Sequence, residues 1–226
     1  MHGYFVTGTD TGIGKTRVTA GLLKAFARAG RKTVGMKPVA SGATQTSEGL
    51  RNQDALALQA AASEKRPYAL INPCCFAPPV APHIAALEAG VEIELETIRS
   101  AYAELCKDAD TVLVEGVGGW QVPLSPVLEL PDLARELGLP VILVVGMRLG
   151  CLNHALLTAR ALNADGLMLA GWVANEIDSA FERPEANIAS LEAELHAPLL
   201  ARLPFAPQAS VDAVAEALKA ACSSLV

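Results

Sequence analysis

The chain has 226 residues, 51% hydrophobic and 4% aromatic, with a formal net charge of −6. This composition supports a large aliphatic core and offers neither a basic field nor a Lys/Arg run interleaved with aromatics, so nucleic acid is not an expected partner. No apolar stretch reaches the roughly 20 residues of a membrane span, the first strand starts almost at Met1 and leaves no room for a signal peptide, and Cys74, Cys75, Cys106, Cys151 and Cys222 are odd in number without a paired CxxC spacing. The expectation is one cytoplasmic domain over residues 1–226 with reduced thiols, no disulfide framework and no zinc site.

In chain order, the apolar run Tyr4-Phe5-Val6 reads as a strand. Val18, Leu22 and Phe26 then recur at helical spacing, with Gly30 to close the helix. Thr33 to Lys37 reads as the next strand, ended by Pro38. Residues Ala40 to Gln53 form a looser Gly/Ser/Thr/Asn-rich region, followed by a helix near Ala55 to Ser63. Prolines crowd Pro67 to Pro82, which reads as a long surface connection with functional or packing contacts. Leu95, Ile98, Tyr102 and Leu105 mark a helix leading to the strand Thr111–Glu115. Further strands are read at Pro140–Val145 and Leu169–Asn175, and Val211, Val214 and Leu218 suggest a closing helix. Runs this apolar, without polar alternation, predict an α/β fold: a parallel sheet with helices on both faces.

Between the first strand and the first helix lies Gly8-Thr9-Asp10-Thr11-Gly12-Ile13-Gly14-Lys15-Thr16. Glycines let successive backbone N–H groups turn toward a polyphosphate, the helix N-terminus adds partial positive charge, Lys15 reaches the β- and γ-phosphates, and the Thr16 hydroxyl is placed to ligate Mg²⁺. Five residues rather than four separate Gly8 from Gly14, a departure from the usual spacing. Ligands of open parallel sheets gather beyond the carboxyl ends of the strands. That rule selects Lys37 with Pro38 to Gly42, Glu115 with Gly116, Val117, Gly118 and Gly119, and Asn175 with Glu176. Glu115 stands where nucleotide-hydrolysing proteins of this class usually place an aspartate near Mg²⁺, and Lys37 is placed to neutralise charge on a transferring γ-phosphoryl group. Asp54 also reads as part of a helix start at Asn52-Gln53-Asp54.

Across nearly the whole chain these motifs resemble the dethiobiotin synthetase family of the P-loop NTPase superfamily. The resemblance rests on Gly8-Thr9-Asp10-Thr11 with Gly14-Lys15-Thr16, Lys37-Pro38-Val39-Ala40-Ser41-Gly42, Asn52 with Asp54-Ala55-Leu56, Asn72-Pro73, Pro82-His83 and Val114-Glu115-Gly116 with Gly118-Gly119-Trp120. It continues through Leu143 to Gly146, Leu149 to Ala155 and Ala170 to Asn175, and beyond about Asp178 it retains little except Leu203-Pro204.

The resemblance implies a P-loop NTPase-like fold and a homodimeric biotin-biosynthesis ligase that closes a ureido ring on 7,8-diaminononanoate with CO₂ and MgATP. In that scheme the substrate amine takes up CO₂, the carbamate oxygen attacks the γ-phosphate, and the neighbouring amine captures the mixed anhydride. It further implies Lys15 and Lys37 as catalytic lysines, and Thr16, Asp54 and Glu115 as metal ligands. Thr11 and Ser41 are implied as substrate-positioning hydroxyls. Nucleotide contacts are implied at Gly12, Ile13, Gly14, Lys15, Thr16, Arg17, Asp54 and Glu115 to Gly118, with Asn175, Glu176, Pro204, Phe205 and Ala206 around the adenine. Gly150, Cys151, Leu152 and Asn153 match the loop that binds the substrate carboxylate from the opposite subunit, making the active site shared across the dimer.

Two departures stand out. Gly12 occupies a position where some family members carry an acid, leaving Thr11, Ser41 and metal-linked water to contact the amines, and Phe205 to Gln208 follow the family's base pocket only loosely. Competing readings are a P-loop switch of the partition or septum-positioning type, a guanine switch suggested by Asn175-Glu176-Ile177-Asp178, and a cobyrinate-type amide ligase. The first usually carries a lysine where this chain has Asp10, the second lacks its motif lysine, and the third generally uses a glutaminase domain for which this chain is too short.

Overall fold

A strand with apolar side chains in succession has to be covered on both faces, and helix-forming segments alternate with such strands along this chain. The computed structural model describes residues 2–225. Its elements run β1 (His2–Gly8), α1 (Lys15–Arg28), β2 (Thr33–Met36), β3 (Val39–Ala40), β4 (Thr44–Thr46), β5 (Gly49–Arg51), α2 (Gln53–Ala61), α3 (Tyr68–Ile71), β6 (Cys74–Cys75) and α4 (Pro82–Ala89). They continue through α5 (Leu95–Leu105), β7 (Thr111–Glu115), α6 (Leu130–Leu137), β8 (Val141–Met147), α7 (Cys151–Ala164), β9 (Leu169–Glu176), α8 (Pro184–Glu194), β10 (Leu199–Leu203), α9 (Val211–Ala217) and α10 (Ala221–Ser224).

Six strands form the predicted parallel sheet, in the order β10-β9-β8-β1-β7-β2. Side-chain alternation along β1 divides its apolar residues between two cores. Tyr4 and Val6 pack with Val18, Leu22 and Phe26 of α1 and with Val214 of α9 and Leu218 just beyond it. Phe5 faces the other way, into a cluster with Val112 and Val114 of β7, Ile98 and Leu105 of α5 and Leu133 of α6. A third cluster joins Leu143 and Val145 of β8 to Trp172 of β9 and Ile188 and Leu191 of α8. Phe26 is fully buried and stacks on Tyr4 at 6.5 Å. Truncating it to alanine costs about 3–5 kcal/mol, the usual range for a buried aromatic.

Helix starts are written in short-range polar contacts. Asn52 Oδ1 accepts the backbone N–H of Asp54 (3.0 Å) and Ala55 (3.4 Å) at the head of α2. Glu129 and Asp132 form a capping box at the start of α6.

One expectation is corrected. The region from Ala40 to Gln53 is not merely loose, because it holds the last residue of β3 and the antiparallel hairpin β4–β5. The proline-rich stretch is, as expected, a connection with exposed residues, and its packing contacts make it a wall laid against residues 37–43. Lys37 N donates to Ile71 O (2.8 Å), Cys74 N to Pro38 O (3.0 Å), Phe76 N to Ala40 O (2.8 Å), Ala43 N to Phe76 O (2.9 Å) and Gly42 N to Pro78 O (3.0 Å). The prolines do not prevent this, since the donors are non-proline residues and Pro38 and Pro78 need only their carbonyls. Elements without a sequence-based expectation include α4, α6, α8 and β10. In β10 the exposed Arg202 interrupts a short edge strand.

Candidate active site

The site lies at the carboxyl edge of the sheet, where β1 sits between β7 and β8 and the connections depart to opposite sides. Beyond β1, Thr9 N donates to Val144 O (3.1 Å), fixing the root of the loop. Gly14 opens α1 with φ 89°, and a Cβ there would stand 2.3 Å from Asn175 Nδ2. Both the left-handed backbone and the close approach therefore require glycine. Lys15 Nζ donates to the carbonyls of Asp10 (2.8 Å) and Gly118 (2.5 Å), bridging the loop and the segment after β7. Burial lowers its pKa to about 8, and the neighbouring Lys37 pushes the same way.

Below Lys15 is a buried charge cluster. Glu115, fully buried at the end of β7, accepts through Oε1 from Lys37 Nζ (2.7 Å) and from the Thr16 hydroxyl (2.8 Å). Lys37 Nζ also contacts Asp54 Oδ2 (3.1 Å) and Gly116 O (3.0 Å). Burial pulls the Lys37 pKa down, but Glu115 and then Asp54 outweigh it and hold the ammonium above its ordinary range. For Asp54 burial acts upward, and Lys37 and Thr16 reverse it to leave the carboxyl below its usual range. Glu115 Oε2 is buried with no hydrogen-bond partner. An unpaired carboxylate oxygen in such a place has strong need of a cation or donor. Among the described residues no group of three His, Cys, Asp or Glu gathers to hold a metal. Two carboxylates and a hydroxyl are the kind of sparse oxygen set that could hold a hard ion whose other ligands are water and phosphate.

A cleft of about 730 Å³ opens over this cluster, lined by Thr11, Gly12, Gly14, Lys15, Thr16, Lys37, Ser41, Asp54, Val117 and Gly118, together with Asn52 and the Pro79–Pro82 segment. Other predicted residues stand elsewhere. Asn175 is buried on the β9 side of the loop, where its Nδ2 donates to Ile13 O (2.7 Å) and its Oδ1 accepts from Arg17 Nη1 (3.2 Å). Phe205 N donates to Glu176 Oε2 (3.3 Å), joining the ends of β9 and β10 near Pro204 and Ala206. Gly150, Cys151, Leu152 and Asn153 start α7 and do not line the cleft of their own chain. The Cys151 side chain is buried, and its backbone N–H donates to Arg148 O (3.0 Å).

Sequence reasoning did not assign site roles to Asp10, Asn52, Tyr68, Asn72 or Arg148. Arg148 pairs with Asp10 Oδ2 (2.5 Å), tying the phosphate loop to the approach to α7. Asn72 Nδ2 donates to the Lys37 carbonyl (2.6 Å). Asn52 carried a readable signal as an Asn ahead of a helix, whereas the other contacts join residues distant in sequence.

Comparison with known proteins gives a consistent picture. The family described as an AAA domain matches residues 2–212. ATP-dependent dethiobiotin synthetase BioD of Xanthomonas oryzae pv. oryzae (strain PXO99A) is 52% identical over 216 residues, 96% of each chain. The protein of the same name from Pseudomonas aeruginosa (strain UCBPP-PA14) is 56% identical over 216 residues, 95% of each chain. Among solved structures, the MinD cell division protein of Aquifex aeolicus superposes with a TM-score of 0.63 at 15% identity, covering 100% of this chain and 97% of its own, a likeness of fold alone.

Proposed function

The chain belongs to the ATP-dependent dethiobiotin synthetase family, and from that membership we propose that it carboxylates 7,8-diaminononanoate with CO₂ and closes the ring to dethiobiotin, converting ATP to ADP and phosphate. The observation that carries the reading is the Lys37 ammonium held between Glu115 and Asp54 in a cleft that the phosphate loop also lines. Phosphoryl transfer asks the protein mainly for positioning and charge, and this cluster supplies both.

Lys15 leaves its two carbonyl partners for the β- and γ-phosphates, a move favoured because those carbonyls compensate its burial poorly. Lys37 faces the γ-phosphoryl group and the carbamate oxygen that attacks it, stabilising charge that shifts from one to the other. Thr11 and Ser41, which both line the cleft, orient the two amines. Thr16, Asp54 and Glu115 would hold Mg²⁺, and the unpaired Glu115 Oε2 fits that role. When bound, the ion neutralises charge on the phosphate oxygens. Asn175, Glu176 and Pro204 to Ala206, on the β9–β10 side of the loop, surround the adenine.

The working unit is a homodimer in a cytoplasmic setting. Gly150 to Asn153 start α7 outside their own cleft, and the first backbone N–H groups of a helix have no intrahelical acceptor. Those of Leu152 and Asn153 receive the substrate carboxylate in the neighbouring subunit's cleft. Leu149 and Leu157, largely exposed, belong to the face brought against that neighbour.

The test is incorporation of labelled bicarbonate into a cyclic urea when the purified protein is given 7,8-diaminononanoate and MgATP. ATP hydrolysis without labelled ring product overturns the assignment.

A further inference from the structure

Lys37 and Asp54 reach the cleft from separate segments, one just past β2 and the other at the head of α2, and no strand of the main sheet aligns them. A row of polar groups behind the cleft does. Asn72 is buried and donates through Nδ2 to the Lys37 carbonyl (2.6 Å), while its Oδ1 accepts the Tyr68 hydroxyl (3.0 Å). That hydroxyl in turn accepts the backbone N–H of Asn52 (2.7 Å). Asn52 caps α2 through Oδ1, presenting Asp54, and its Nδ2 donates to the Ser41 carbonyl (3.1 Å). Tyr68 itself does not line the cleft.

We infer that Tyr68 is a positioning residue for the phosphoryl-transfer step, its hydroxyl joining the arm that carries Lys37 to the arm that carries Asp54 and Ser41. The inference rests on the roles given above to Lys37 and Asp54. The hydroxyl uses its proton toward Asn72 and a lone pair toward Asn52, so the direction of each bond is fixed by its partner's chemistry. Burial pushes the phenol up to about 12, keeping the proton in place at working pH. Removing the oxygen leaves Asn52 N–H without this acceptor and Asn72 Oδ1 without this donor. The Asn72 amide is then free to turn and release the Lys37 carbonyl. The ring has separate anchors, because Arg51 stacks over it at 4.3 Å and it packs against the larger apolar cluster. Tyr68→Phe therefore deletes the junction and keeps the packing. A displacement of about 1 Å at a reacting group costs on the order of 100-fold in rate.

The experiment compares Tyr68→Phe, Asn72→Ala, their combination and Lys37→Ala with the wild type, using Tyr102→Phe on α5 as a control for hydroxyl deletion away from the cleft. Expected for Tyr68→Phe is a kcat about 10- to 100-fold lower, a KM for ATP within twofold of wild type and a thermal midpoint close to that of Tyr102→Phe. Because Tyr68 acts on Lys37 through Asn72, adding Tyr68→Phe to Asn72→Ala lowers kcat less than threefold further. A Tyr68→Phe kcat within twofold of wild type, beside a Lys37→Ala variant whose kcat has fallen about 100-fold, overturns the inference and leaves the site reading standing. Full multiplication of the two single effects also overturns it. Normal turnover by Lys37→Ala overturns the site reading itself. If Asn72→Ala does not fold, the split between kcat and KM in Tyr68→Phe decides alone.

Discussion

The two lysines of the cleft are held in opposite ways. Lys15 is placed by contiguous chain: β1 ends, glycines turn the loop, α1 begins, and Nζ returns to a carbonyl five residues back. Lys37 is placed by distant chain, with Asn72 on its carbonyl 35 residues away and Glu115 on its ammonium 78 residues away. The electrostatics differ in the same sense. Lys15 is buried without a carboxylate in contact and its pKa falls, whereas Lys37 is buried between two carboxylates and its pKa rises. A loose, poorly compensated cation suits a group that moves onto an arriving polyphosphate. A tightly compensated one suits a group that must already be in place when the chemistry starts.

The contrast is sharpened most by removing each lysine. Lys15→Ala should lower kcat/KM by about 1,000-fold or more, the scale of losing a charge-stabilising group, while leaving thermal stability unchanged or slightly higher, because a cation costly to bury is gone. Kinetics and a melting curve on the same preparation check both halves, and a large loss of stability would break the comparison. Lys37→Ala should lower kcat about 100-fold with nucleotide affinity within threefold, as befits a group acting mainly in the transition state. It should also destabilise the fold by roughly 3 kcal/mol, since Glu115 and Asp54 are left facing one another. Denaturant titration measures that cost, and a collapse of nucleotide affinity with intact turnover would mean that Lys37 serves binding instead.

A smaller effect follows from the Lys15 pKa of about 8 against an ordinary 10.5. Between those values the unfolded chain keeps a proton that the folded chain has released, so this group makes stability rise with pH across that window. With Lys15 on the phosphates as proposed, nucleotide binding runs the other way, since it then draws on the ammonium. Affinity for a non-hydrolysable ATP analogue should fall about tenfold from pH 7 to pH 9 as the charged fraction declines, and Lys15→Arg should flatten the curve. Calorimetric titration at three pH values decides it.

The smallest effect is a factor of two. In heterodimers pairing a Lys37→Ala subunit with one whose Asn153 loop is disabled, a shared site predicts one doubly defective and one intact centre, hence about half of wild-type activity per heterodimer. No recovery, with heterodimer formation verified, places both elements in the same subunit's site.

The same contrast explains what could be read without coordinates. The phosphate loop is a local device, so strand, glycines, lysine and threonine were all visible in order, as were the apolar runs of β7, β8 and β9. Lys37 and Glu115 were found through the rule for strand ends. The proline-rich wall behind Lys37 was legible only as a connection with packing contacts; its partners were not, because its prolines signal irregular chain while the hydrogen bonds that organise it come from the residues between them. Tyr68 and Asn72 connect to the Lys37 carbonyl from α3 and just after it, and no periodicity joins such positions to residue 37. Asp10 and Arg148 were hidden for the same reason, being 138 residues apart. The edge strand β10 and helix α8 bury few residues on one side, leaving weak patterns to read.

The place of β7 has a consequence for how the protein comes into being. β1 leads through the glycine loop to Lys15 and β2 ends just before Lys37, yet the two strands do not pair with each other, and β7 lies between them, hydrogen-bonded to both. A growing chain thus has both lysines on hand long before it has the strand that sets their spacing. Until Thr111–Glu115 is inserted, bringing Glu115 with it, the first hundred residues contain the pieces of a phosphate site without a template for assembling them. The ends of a long loop must therefore close before the two lysines have a fixed spacing, and that spacing depends on strand pairing between residues far apart in the chain.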